Sequence, residues 1–153
     1  MTRKIFALIR DSRGTSIIEM ALVAPFLATL VIGMVDLSRA YSTKVQLTQA
    51  AQRAIEKAMQ GKKETSLYDT LQSEGATAAG VATSDVTVDY WLECNGTRQA
   101  TYDNTVCPTG QTYARYVSVD IQKTFTPMFS TRFGGSNTDG TYTLHGKTGI
   151  RVQ

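Results

Sequence analysis

Within the run Ile17–Val35, IIEMALVAPFLATLVIGMV, Glu19 is the single charged side chain. Placing a carboxylate in hydrocarbon costs on the order of 3 kcal/mol, so such a residue has a partner or a task. One use is to sit at the membrane interface and reach the headgroups. Another is set by its neighbours: Arg13-Gly14 stands directly before Thr15, and Glu19 lies one helical turn beyond Thr15. If a peptidase cuts after Gly14, Thr15 gains a free α-amine, which is cationic near neutral pH. In a low dielectric Glu19 can neutralise that amine, on its own chain or on a neighbouring one.

Other residues with chemical potential form no constellation. His145 is the only histidine and falls on the polar side of an expected strand. No nucleophile stands beside a base at a recognisable spacing, and no glycine-rich phosphate loop follows a strand; Gly134-Gly135 reads as a turn. A metal site lacks ligands. The expectation is a protein that is not an enzyme, with no catalytic residues, metal or cofactor. Cys94 and Cys107 are the only cysteines, and both fall in a polar segment joining two expected strands. Beyond an export signal, such a pair is expected to form a disulfide. Asn95-Gly96-Thr97 matches a glycosylation sequon, a signal of low specificity.

These residues need elements to position them. A chain of 153 residues accommodates one modest domain. Its formal charge of +3 suggests an anionic partner until it is counted by position. Residues 1–14 hold Arg3, Lys4, Arg10 and Arg13 against Asp11, whereas residues 15–153 balance twelve basic groups against twelve acidic ones. The excess is therefore a property of the first fourteen residues, and no nucleic-acid partner is expected. The 19-residue apolar run that follows makes a helix of about 28 Å, close to the roughly 30 Å core of a bilayer. Basic residues ahead of it, with Asp36 and Arg39 after it, place residues 1–14 in the cytoplasm and the remainder outside. Pro25 is expected to bend the helix, since it removes one backbone hydrogen bond.

Neither Pro nor Gly occurs between Val35 and Gln60, so the helix is expected to continue to a stop at Gly61. Leu37, Tyr41, Leu47, Ala51, Ala54, Ile55 and Ala58 mark an apolar stripe on it. Ser66 and Asp69 suggest the start of a short helix running to about Ala79, weakened by Gly75 and Gly80. The period then changes to two. Val86–Leu92, Val117–Ile121 and Tyr142–Val152 alternate as three half-buried strands of an antiparallel sheet, the last one bulged near Gly146 or Gly149.

The stretch Arg13-Gly14-Thr15-Ser16-Ile17-Ile18-Glu19-Met20-Ala21-Leu22-Val23-Ala24-Pro25 resembles the N-terminus of the TadE-like pseudopilins, minor subunits of the bacterial tight-adherence (Tad/Flp) type IV pilus system. The likeness runs from about Ser12 to Arg39. It implies cleavage by a prepilin peptidase between Gly14 and Thr15, with Glu19 as the assembly residue. Major pilins of that system often carry Tyr after the Glu; Met20 here favours a minor subunit. The implied organisation is a cytoplasmic basic leader (1–14), a transmembrane helix (15–36), its amphipathic continuation (37–61) and a periplasmic α+β domain (62–153). The fold class expected is α+β and pilin-like, a long helix packed on a small antiparallel sheet. The implied function is to prime, cap or regulate assembly of an adhesive pilus. Implied partners are other minor and major pilin subunits, the prepilin peptidase, an inner-membrane assembly platform and membrane lipid. The competing expectation is an uncleaved single-pass membrane anchor for a periplasmic binding or scaffold module.

Overall fold

The computed structural model describes residues 13–60, 66–99, 106–128 and 136–152. The basic leader up to Ser12, Gly61 and the Gly134-Gly135 pair lie outside the described residues, as do the side chains of Arg13–Thr15, Ala58 and Ser66–Asp69. Contacts divide the chain into two units, Met1–Arg39 and Ala40–Gln153. Helix α1, Arg13–Gln60, contributes to both. Helix α2, Ser66–Ala79, is followed by a single 3-10 turn, Thr83–Asp85. Four strands complete the fold: β1 Val86–Cys94, β2 Thr97–Arg98, β3 Tyr113–Phe125 and β4 Tyr142–Arg151. They form one antiparallel sheet in the order β2-β1-β3-β4. The architecture is the expected α+β one, with a long apolar helix and a small antiparallel sheet.

The second unit is held by its apolar faces. The stripe Leu47, Ala50, Ala51, Ala54 and Ile55 of α1 is buried against Val117, Val119 and Ile121 of β3, with Leu71 and Ala76 of α2 and Val86 of β1. Their spacing is that of one helix face and one strand face. Leu37 and Tyr41, expected on the same stripe, are instead exposed at 72% and 69%. They lie to either side of the boundary between the units, more than a turn ahead of the first residue the sheet covers.

Two glycines set how closely the helices approach the sheet. A Cβ on Gly146 of β4 would overlap the backbone of Leu47 and Thr48 of α1. One on Gly75 would stand 3.3 Å from Val86 Cγ1 and 3.4 Å from Ile121 Cδ1. Gly75, which weakens α2 as a helix, thus lets it pack. The pairing of β3 with β4 runs without interruption from Tyr116↔Arg151 to Phe125↔Tyr142. There is no bulge at Gly146 or Gly149. Gly146 is needed for close approach to α1, which the sequence pattern cannot distinguish from a break in the ladder.

The fourth strand was not expected. Asn95 and Gly96 adopt φ of 49° and 78°, the left-handed pair of a two-residue hairpin turn, and Cys94 pairs with Thr97 across it. Read as a sequon, Asn95-Gly96 conceals a hairpin signal. Asn95 also ties this turn to the start of β3: its Oδ1 accepts from Thr112 N and Oγ1, each at 3.0 Å, and its N–H donates to Thr112 O at 2.8 Å. Cys94 and Cys107 are joined as a disulfide, with Cα atoms 5.6 Å apart.

Candidate functional site

The residues singled out by the sequence cluster at the start of α1. Arg13, Gly14 and Thr15 are its first helical residues, so the Gly14–Thr15 peptide lies in the first turn. Glu19 is four residues on from Thr15, hence on the same face of the helix. Its side chain is exposed. Around it the helix is apolar on every side and uncovered: apart from the half-buried Ile32, the large hydrophobic residues from Ile17 to Val35 range from 43% to 75% exposed. Among the described residues, α1 is the one helix long and apolar enough to cross a membrane. It contains an 18-residue window of mean hydropathy 2.2, none of it buried.

Pro25 lies within this segment with helical residues on both sides. Having no N–H, it leaves the carbonyl of Ala21 without its usual donor. The hydroxyl of Thr29 donates to the carbonyl of Pro25 at 2.8 Å, which satisfies the one hydroxyl of the central apolar run within the helix itself. Asp36 and Arg39 form an ion pair at 3.4 Å that closes the run.

One feature of the segment escaped the sequence reading. Met20, Val23, Leu27, Leu30, Met34, Leu37 and Tyr41 recur at alternating intervals of three and four, and all are exposed. This is the spacing of a helix–helix seam. Within a bilayer lipid can cover any apolar side chain, but Leu37 and Tyr41 follow the seam to and past the Asp36–Arg39 pair. The signal lay in the spacing, which a uniformly apolar run obscures.

Among its described residues the second unit offers no comparable centre. On the sheet face away from the core, Trp91 stacks on Tyr116 with centroids 5.2 Å apart, and the Arg98 guanidinium lies 4.8 Å from the Trp91 ring. Arg98 also donates to both carboxylate oxygens of Asp89, at 2.8 and 3.2 Å, and Trp91 Nε1 donates to Glu93 at 2.8 Å. This is a cross-strand ladder with its polar ends engaged. His145 is exposed and 3.2 Å from Asp120. Among the described residues no group of acids, histidines and cysteines is arranged to hold a metal ion. A shallow cleft of about 380 Å³ lined by Gly80, Val81, Asp85, Gln122, Lys123, Thr124 and Thr143 brings no such group together.

A small antiparallel sheet with one long helix, whose leading part is apolar and uncovered, is an α+β arrangement in which that helix is long and apolar enough to cross a membrane. Residues 14–55 match the family model described as TadE-like protein. The match runs beyond the exposed apolar stretch to Ile55, and so takes in the stripe that packs on the sheet. No curated protein and no solved structure matches the chain.

Proposed function

We propose that the protein is a minor pseudopilin of a tight-adherence pilus, which primes, caps or regulates filament assembly after prepilin-peptidase cleavage between Gly14 and Thr15. The observation that carries this reading is the exposed seam from Met20 to Tyr41, with Glu19 beside its start. A simple anchor needs apolar surface only as deep as the hydrocarbon, and Leu37 and Tyr41 go beyond that need. Neighbouring pilin helices, of minor or major subunits, would cover them.

The chemistry follows from charge. Before cleavage the leader's net +3 keeps residues 1–14 on the cytoplasmic side and opposes extraction of the helix. Cleavage removes that charge and creates the Thr15 α-amine one turn from Glu19. Pairing the two, within a subunit or between subunits, offsets most of the cost of a lone carboxylate in a dry helix bundle. Gly14 serves the peptidase as well: glycine weakens a helix by about 1 kcal/mol relative to alanine, which eases opening of the first turn around the scissile bond. An inner-membrane assembly platform would then move the subunit from lipid into the filament, leaving the sheet domain on the periplasmic side.

Replacing Glu19 by alanine tests this. Processing should persist, while the amount recovered in sheared filaments and the surface adherence of the cells should fall at least tenfold, as for loss of a buried pair worth more than about 1.4 kcal/mol. Unchanged filament incorporation and adherence would contradict an assembly role for Glu19.

A further inference from the structure

The two edges of the sheet are finished differently. Alternate residues of an edge strand turn their N–H and C=O away from the sheet. On β1 these are the even-numbered residues, and both ends of the strand are met: Leu92 O accepts from Gln99 N at 2.8 Å, Val86 O accepts from the side chain of Gln72 at 2.9 Å, and β2 pairs with its last residues. On β4 the opposite parity faces outward, because Val152 N donates inward to Arg115 O at 2.7 Å and the register is unbroken. The main-chain groups of Thr143, His145, Lys147 and Gly149 therefore point away from β3. Among the described residues no main-chain hydrogen bond meets them.

This edge contains no proline and has no bulge, so two of the devices that blunt an edge are missing and charge remains. The charge has one sign. From Tyr142 to Arg151 there is no carboxylate, while His145, Lys147 and Arg151 lie on the solvent face of the strand. Asp120 of β3 faces His145 and pairs in register with Lys147, offsetting part of that charge. Two β4 strands from separate copies, paired antiparallel about their centre, would bring Lys147 opposite His145 or a second Lys147, an unfavourable juxtaposition. The β1 edge of a second copy is covered at both of its ends.

We propose that the β4 edge from Thr143 to Gly149 receives an extended acidic strand of a partner protein, extending the sheet by one strand. Main-chain hydrogen bonds to the outward-facing residues supply affinity. Acidic side chains at alternate positions of the incoming strand lie beside His145 and Lys147. Its intervening residues fall on the face where Leu47 of α1 meets Gly146, and these are apolar.

The test uses the full chain in detergent micelles and two synthetic peptides, one alternating Glu with Val and one alternating Lys with Val. Amide hydrogen exchange is followed residue by residue. With the acidic peptide at about ten times its Kd, exchange at Thr143, His145, Lys147 and Gly149 should slow roughly tenfold. The Lys147→Glu variant should lose that protection while the amides of Val117, Val119 and Ile121 stay as slow as before, showing an intact sheet. The basic peptide should protect nothing. Equal protection by both peptides, or none by the acidic one, would overturn the proposal. So would protection that needs no peptide and grows with protein concentration, the sign that a second copy is the occupant.

Discussion

Leu30 and Leu47 lie on the same helix, yet Leu30 keeps 63% of its surface exposed and Leu47 only 2%. Around Leu30 every side of the helix is apolar, so no side is singled out for the protein's own core. Around Leu47 the neighbouring faces carry Lys44, Gln46, Gln49 and Gln52, all exposed, and the apolar residues form one buried stripe. The first pattern requires a solvent other than water or neighbours that replace it. The second requires a sheet. One helix thus serves two environments, and the change falls between Tyr41 and Leu47.

Matched substitutions in the two regions would sharpen this contrast. Alanine at Gly146 forces a Cβ into the backbone of Leu47 and Thr48, and should lower the stability of the sheet domain by about 3 kcal/mol or more. Alanine at Gly33 meets nothing within 4 Å, and should leave thermal unfolding of the sheet domain unchanged to within about 0.5 kcal/mol. Equal effects at the two sites would break the distinction. Next in size is the disulfide. Replacing Cys94 and Cys107 together by serine should cost about 3 kcal/mol, read from denaturant unfolding of the oxidised protein and the variant. Serine at both Leu37 and Tyr41 should change the domain's own stability by no more than about 0.5 kcal/mol while reducing recovery in filaments. A large loss of stability with normal incorporation would place those residues in the fold instead of an interface.

The smallest effect concerns the turn leading into β4. Asp139 accepts from the hydroxyl of Thr141 at 2.7 Å and from its backbone N–H at 3.0 Å, and these bonds hold its carboxyl below the ordinary carboxylate value. A depressed folded pKa adds stability above the unfolded value, and that stability is lost as pH falls through the folded one. Asp139→Asn should therefore flatten the acid side of the stability–pH curve below about pH 4, with little change near neutrality.

Much of this was readable from the sequence. Periodicities of 3.6 and 2 located α1, α2 and the three longer strands, because each element buries one face and the burial writes itself into residue order. What escaped depends on contacts between elements. Whether Gly146 marks a bulge or a close approach is decided by α1, about a hundred residues earlier in the chain. The β1–β2 hairpin was legible in Asn95-Gly96, but the same letters also spell a modification motif. Leu37 and Tyr41 continue the helical spacing of Leu47, and only the position of the sheet shows that it does not reach them. At the candidate site, Gly14, Thr15, Glu19 and Pro25 stood out by residue type against an apolar background. The seam did not, since a period cannot be seen where nearly every residue is apolar.

The central claim is that the chain is cut between Gly14 and Thr15 and works as a pilin subunit. N-terminal sequencing of the protein extracted from membranes that also contain its prepilin peptidase tests it most directly. The account predicts a first residue of Thr15, with the full-length chain accumulating when the peptidase is inactive. A retained Met1 in the presence of active peptidase would contradict it, and so would a start at Tyr41, after Ser38-Arg39-Ala40, the small-x-small pattern that an ordinary signal peptidase cuts.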